Sequence, residues 1–387
     1  MLRRIAALAA LAFIVAVLPA PAASNPATGA ALGRYIVVLD DAVPFPGGVA
    51  NRHAALLGGH VGYVYSHVFR GYSIAMPHFM AGTLARMPGV ASVEADGVAT
   101  IDTTQSGAPW GLDRIDQRNR PLNGQFNYTR TGSGVKAYII DTGIRFSHSQ
   151  FGGRAISGRD TYSNDNDSSD CNGHGTHVAG TVGGSTYGVA KAVTLVGVRV
   201  LSCSGSGSWS QVIAGMDWVT ADHVAGQPAV ANLSLGGGAN SSVDAAVNRM
   251  VSDGIAVSVA AGNGNFFGFA QDACSSSPAR VPAAMTISAT DSSDRKASWA
   301  NYGTCVDLFA PGVSITSSWH NGDNATRTIS GTSMAAPHTA GVAALYLQGN
   351  PGASPATVAS ALVGNATTGV VSNAGSGSPN RLLFTNY

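Results

Sequence analysis

From residue 135 onward the apolar residues gather into short continuous runs that stop at glycine or a small polar residue: 135–140, closing on Asp141, then 195–201, 230–235, 255–260 and 285–289. β-Branched residues recur in most of these runs, as at Val135, Ile139 and Ile140 or Ile255, Val257 and Val259, and a brief, mainly apolar run is the mark of a strand covered on both faces. Between and after them, apolar positions recur with helical spacing over 211–223, 243–253, 332–348 and 355–363. Strands alternating with helices predict an α/β fold, a mostly parallel sheet with helices on both faces.

A different pattern precedes it. Residues 35–39, 61–69, 72–76 and 90–95 read as strands and 49–57 and 79–87 as helices, giving β-α-β-β-α-β, the order of a split βαβ, ferredoxin-like α+β domain over about 34–99. Before that domain, Arg3 and Arg4 lead into an apolar run over 5–17 that Pro19 and Pro21 end, with small residues at Ala20 and Ala22. This is the layout of a secretory signal peptide over 1–23, and the run is short for a membrane span. Three segments result: 1–23, 24–102 and 103–387.

Composition narrows the possibilities. The 387 residues are 45% hydrophobic and 11% charged, enough for a large core and too few charges for a disordered chain. A net charge of +1 gives no case for nucleic acid or a membrane as partner. The four cysteines, Cys171, Cys203, Cys274 and Cys305, all follow residue 103, and an even number in a secreted chain points to disulfides with three connectivities open. No C-x-x-C spacing suggests zinc.

Candidate chemistry centres on Ser330-Gly331-Thr332-Ser333-Met334-Ala335, which sets one serine among small residues at the mouth of the apolar helix 332–348. The unpaired N–H groups there favour a developing negative charge, although Ser333 or Thr332 capping the helix accounts for a hydroxyl equally well. A nucleophilic serine needs a base and a carboxylate to orient it. Asp141 ends a strand at a Thr-Gly turn, and His174 lies between glycines in Asn172-Gly173-His174-Gly175-Thr176-His177. His174 and His177 raise a zinc pair as an alternative, but zinc helices space their histidines four apart around a glutamate, and none is near. His177 fits better as a hydrogen-bonded core residue. Asn263 closes the run 255–260 in Ala261-Gly262-Asn263, where it serves a left-handed turn or an oxyanion.

The chain order Asp, His, Ser within three Gly-rich turns, with Asn263, resembles the subtilisin-like serine proteases, in particular the secreted proteinase K and aqualysin branch. The resemblance runs from about Tyr35 to the C-terminus. It implies acyl transfer by Asp141, His174 and Ser333, with Asn263 as oxyanion donor. Gly205, Ser206, Gly207, Ser234, Leu235 and Gly236 would pair with an extended polypeptide substrate, Trp209 would flank the P4 pocket, and Ala260 and Gly262 would line the P1 pocket. No acidic residue occurs in 234–238 or 259–263, which favours an apolar or aromatic P1 residue.

The resemblance also makes the first domain an inhibitory propeptide, removed by self-cleavage near Asp102, and the product a monomer. It pairs Cys171 with Cys203 and Cys274 with Cys305, each worth about 3 kcal/mol by loop entropy. No cofactor is needed for catalysis, but structural calcium is implied at Asp307 with the Pro282 and Ala284 carbonyls, at Asp160 and Asp165, and at Asp113, Asp116 and Gln117, where Asn123 and Gln125 depart from some relatives. Two rivals fare worse. A lipase would carry G-x-S-x-G in the order Ser, Asp, His, and an inactive binding protein on this fold would have lost one of the four site residues.

Overall fold

The computed structural model describes residues 32–97 and 103–387, so the expected signal peptide over 1–23 and the expected cut near Asp102 lie outside the described residues. The chain divides into two units near residue 99.

In the first unit, β1 (Leu32–Leu39), α1 (Pro46–Leu57), β2 (His60–Tyr65), β3 (Gly71–Pro77), α2 (Ala81–Leu84) and β4 (Val90–Ala95) follow in order. The strands form an antiparallel sheet in the order β2-β3-β1-β4. Val37, Leu39, Tyr72, Ile74 and Met76 of the sheet pack with Ala50, Ala54 and Leu57 of α1 and with Leu84. Two elements differ from the pattern. The strand expected over 61–69 stops at Tyr65, because β2 and β3 are antiparallel neighbours and the residues between them must turn. The helix expected over 79–87 shrinks to a 3₁₀ turn and the single turn α2, weakened by Gly82 and ended by Pro88, which bars the helical region to the residue before it.

The second unit runs β5 (Thr103–Ser106), α3 (Trp110–Ile115), β6 (Gln125–Tyr128), β7 (Lys136–Asp141), β8 (Ala155–Asp160), α4 (His174–Gly183), β9 (Thr194–Arg199), α5 (Trp209–Asp222) and β10 (Ala229–Leu233). It continues with β11 (Gly237–Gly238), α6 (Ser241–Ser252), β12 (Ala256–Ala260), β13 (Ser276–Ser277), β14 (Met285–Thr290), β15 (Leu308–Pro311), β16 (Ile315–Ser318) and β17 (Thr326–Ile329). Helices α7 (Thr332–Gly349) and α8 (Pro355–Asn365) and the short strands β18 (Thr367–Thr368) and β19 (Arg381–Leu382) complete it.

Nine strands form the central sheet in the order β18-β19-β15-β14-β12-β10-β7-β9-β8. All neighbours are parallel except the edge pair β18–β19. Successive side chains of β7 face opposite layers: Ala137 and Ile139 join the core beneath α4, α7 and α8, and Tyr138 and Ile140 join the one beneath α5 and α6. The sheet is thus covered on both faces, as the mainly apolar runs predict. β15 escapes the pattern because Pro311 closes a very short run, and proline is tolerated only where the ladder ends. α5 begins at Trp209, capped by Ser208 in a reciprocal box with Gln211.

β7 lies between β9 and β10, and the chain builds outward from it in both directions. The crevice at the carboxyl ends of these strands is where open α/β sheets place their ligands, and Asp141 ends β7 there. No helix among the described residues is long and apolar enough to cross a membrane.

Candidate active site

Asp141 is fully buried at the end of β7 and accepts from the Thr142 backbone N–H at 2.7 Å. The same oxygen, Oδ1, lies 2.7 Å from His174 Nδ1. His174 opens α4, and the position of that helix depends on Asp170, which sequence reasoning did not single out. One Asp170 oxygen accepts from the N–H groups of Asn172 and Gly173 and from the Thr142 hydroxyl; the other accepts from the Thr176 N–H and hydroxyl. Asp170 stands three residues ahead of the N-cap Gly173, outside the position at which a capping acid is recognised from sequence. Gly175 must be glycine, since a Cβ there would stand 2.2 Å from the Gly143 carbonyl oxygen, and this close approach brings α4 against the end of β7.

Burial opposes protonation of His174, but the charge of Asp141, its hydrogen bond and the more distant Asp170 outweigh it and raise the imidazole above its ordinary value. His177 points elsewhere. Its Nε2 lies 3.0 Å from the Ile315 carbonyl and 3.1 Å from that of Arg327, and burial drives its pKa down to about 4, so the ring is a neutral core histidine.

Ser333 is the second residue of α7, where backbone N–H groups have no partner within the helix. Neither Thr332 nor Ser333 caps the helix; the N-cap residue is Gly331, which has no side chain to do so. Thr332 instead donates through its N–H and its hydroxyl to Asn263 Oδ1, at 2.8 and 2.9 Å. Asn263, its oxygen so engaged, lines the same pocket as Ser333. The Ser333 hydroxyl donates to the Ser234 carbonyl at 3.1 Å and forms no hydrogen bond with His174, while the Ser234 hydroxyl donates to the Ser333 carbonyl at 2.7 Å.

Two adjoining pockets share the wall Leu235 to Gly238. The larger, about 690 Å³, is lined by His174, Asn172, Gly205, Ser206, Gly207, Trp209 and Ser234. The smaller, about 410 Å³, is lined by Ser333, Thr332, Asn263, Ala260 and Gly262 among others. Every residue expected at the catalytic centre or against substrate, the fully buried Asp141 apart, lines one or the other of these two adjoining pockets. Gly205–Gly207 form no strand of their own; their backbone is left along the pocket wall. Asn301, also unexpected, sets the far wall: its Nδ2 donates to the Ala261 carbonyl and its Oδ1 accepts from the N–H groups of both Gly264 and Gln271.

Both disulfides form in the expected pairing, Cys171–Cys203 and Cys274–Cys305. The first joins the His174 loop to the segment preceding Gly205, and Asn172 reinforces it by donating to the Cys203 carbonyl and accepting from the His174 N–H.

The acids expected to hold calcium lie outside the cleft. Asp113 accepts from the Asn123 and Gly124 N–H groups, and Asp116 Oδ2 from the Asn127 N–H and side chain, while Asp116 Oδ1 is buried without a partner. Burial, with the charge of Asp113 adding to it, raises the Asp116 carboxyl. Gln117 donates to the carbonyls of Asn119 and Pro121. Asp307 accepts from the Thr286 N–H and is also raised by burial. Asp160 is paired with Arg199 at 2.9 Å and accepts from Ser163, and Asp165 turns back to the Asp167 N–H.

The Subtilase family (peptidase S8) profile matches residues 132–382. The chain is 55% identical over 338 residues to an extracellular serine proteinase of Thermus sp. (strain Rt41A), spanning 87% of this chain and 81% of that protein. It is 50% identical over 340 residues to the alkaline serine exoprotease A of Vibrio alginolyticus, spanning 86% of this chain and 62% of that one. Among solved structures, a cold adapted subtilisin-like serine proteinase superposes with a TM-score of 0.70 at 54% identity, over 73% of this chain and all of that one.

Proposed function

The chain belongs to the subtilase family and is a secreted serine endopeptidase, and from that premise we propose that Asp141, His174 and Ser333 carry out its chemistry through an acyl-enzyme. The observation that supports this reading is the 2.7 Å contact of His174 Nδ1 with the buried Asp141, His174 lining the pocket that adjoins the one lined by Ser333 and Asn263.

The Asp141 carboxylate fixes the imidazole with Nδ1 protonated and leaves Nε2 free as the base. The Ser333 hydroxyl leaves the Ser234 carbonyl, gives its proton to His174 and attacks the peptide carbonyl; such contacts commonly tighten only when substrate is bound. The oxyanion is met by the Asn263 amide and the Ser333 N–H at the positive end of α7. His174 then protonates the leaving amine, and water releases the acyl group. Polypeptide would lie extended between Gly205–Gly207 and Ser234–Gly236, in the mode of strand addition. The acid-free pocket behind Ala260 and Gly262 supports an apolar or aromatic P1 residue, so a Phe anilide is the better substrate than its Arg counterpart.

We assign the first unit, with its strand order β2-β3-β1-β4, to a ferredoxin-like propeptide that inhibits the enzyme before self-processing, and the chain to the proteinase K and aqualysin branch; the paired disulfides support the latter. The processed enzyme acts as a monomer. For structural calcium, the Asp113, Asp116 and Gln117 group fits best. Its buried, unpartnered carboxylate oxygen and paired negative charges call for a cation, which would stabilise the fold by neutralising them. Asp307 with the Pro282 and Ala284 carbonyls is the second site. Asp160 and Asp165 fit less well, because Arg199 already neutralises Asp160.

The test is expression of the full precursor beside a Ser333→Ala variant. Wild type should self-process and be labelled by a serine-directed inhibitor, and the variant should do neither. A wild type that fails both overturns the assignment of Ser333.

A further inference from the structure

Three phenylalanines, Phe266, Phe267 and Phe269, are exposed by 98%, 77% and 68%, against a core in which phenylalanines such as Phe126, Phe151 and Phe309 are fully buried. An isolated exposed aromatic ring needs no explanation, but three within four residues make an apolar patch of the kind that marks a binding surface. Nothing charged lies among them: from Gly264 to Ala270 the sequence is Gly-Asn-Phe-Phe-Gly-Phe-Ala.

The loop is built to hold them out. Its two stems, Gly264 and Gln271, donate their N–H groups to the same oxygen, Asn301 Oδ1, at 3.0 and 2.8 Å. Inside it, the Asn265 side chain accepts from the N–H groups of Phe267 and Phe269, and the Asn265 N–H donates to the Phe269 carbonyl. Phe266 and Phe267 meet edge to face with centroids 5.6 Å apart. The backbone that carries the rings is therefore closed on itself before any partner arrives, which lowers the entropy lost on binding. The loop's place gives it a partner. Gly264, Gln271 and Asn301 line the same pocket as Ser333 and Asn263, and Trp209 lines the adjoining one.

We propose that Phe266, Phe267 and Phe269 form an aromatic platform continuous with the cleft, which binds apolar side chains of unfolded polypeptide substrates beyond the residues seated in the two pockets. The proposal rests on the cleft being the peptide-binding site. Aromatic rings give large apolar contact at low conformational cost, and stacking among them is tolerant of sequence, as suits an enzyme acting on many unfolded chains. The loop as a site of self-cleavage is the less favoured use. A protease requires an extended segment, and this one is closed on itself by Asn265 and Asn301.

The experiment compares processed wild type with a Phe266→Ser/Phe267→Ser/Phe269→Ser variant on two substrates, casein as an unfolded polypeptide and a short Phe anilide that ends at the leaving group. The ratio of kcat/KM for casein to that for the anilide should fall about tenfold in the variant, the factor corresponding to roughly 1.4 kcal/mol, and through KM. An unchanged ratio, whether or not both activities fall together, overturns the platform. So does a wild type that is dimeric where the variant is monomeric, or one whose loop is found cut by mass spectrometry while the variant's ratio is unaltered. A wild type inert to both substrates removes the protease assignment and the platform with it; an active wild type with an unchanged ratio removes the platform alone.

Discussion

Ser234 and Ser333 exchange hydrogen bonds, each hydroxyl donating to the other's carbonyl oxygen, at 2.7 Å from Ser234 and 3.1 Å from Ser333. The first has a cause in the sequence. Pro337 lies inside α7 and has no N–H, so the carbonyl four residues earlier, that of Ser333, has no helical donor, and Ser234 supplies one from the end of β10. The nucleophile's own peptide is thereby tied to the wall on which substrate would lie.

Ser234→Ala should cost about 1–3 kcal/mol, because it leaves the Ser333 carbonyl unsatisfied and removes the acceptor of Asn232 Nδ2. Urea denaturation of enzyme blocked with a serine-directed inhibitor measures this. A fall in kcat on the anilide should accompany it, since Ser333 loses its tether. Unaltered stability would mean that another donor serves the carbonyl.

The pH dependence of kcat/KM should show an acid limb above the ordinary imidazole value of 6.5, because Asp141 and Asp170 raise His174 and the base must be neutral to act. Activity is thus lost as pH falls through that raised value. Asp141→Asn should lower kcat by about 10⁴, the factor known for the equivalent change in another triad enzyme, and move the limb of the residual activity downward. A limb that stays in place would show that Asp141 does not set the charge state of His174.

Asn263→Asp and Asn263→Ala separate the two functions of this side chain. Both remove the amide donor and should lower kcat by about 10²–10³ with little change in KM, a magnitude measured in subtilisin itself and so borrowed from a relative. Only alanine also abolishes the acceptor of Thr332, and it alone should lower the denaturation midpoint. Equal stability of the two variants would contradict the anchoring role of Oδ1.

Calcium in excess should raise the thermal midpoint over that in chelator, by the equivalent of about 2.7 kcal/mol at a hundred times the dissociation constant. An Asp113→Asn/Asp116→Asn variant should lose most of that difference, and Asp307→Asn the remainder. Equal midpoints in calcium and chelator for wild type would dispose of these sites.

Much of this was legible in the sequence because each principal residue stands where the backbone itself is constrained. Asp141 ends an apolar run, His174 is enclosed by glycines that permit close approach, and Ser333 precedes a run apolar on all sides. The supporting residues were not legible. Asn172 and Asn301 act on carbonyls far away in sequence, those of Cys203 and Ala261, and Asp170 reaches the distant Thr142 hydroxyl; a lone Asn or Asp in a polar loop looks the same whether it joins such a network or faces water. The same limit hid β8 and β15, one an edge strand with exposed positions and the other four residues closed by proline.

The single oxygen of Asn301 that receives both Gly264 and Gln271 has a consequence for how this enzyme can vary. A segment whose two stems are fastened at one point is mechanically separate from what it is fastened to. Changes of length or content between the stems need not reach Asn263 or Ser333. The loop is in that sense an interchangeable cassette mounted on the rim of a fixed catalytic frame, where substrate range could diversify, or be engineered, while the chemistry behind it stays the same.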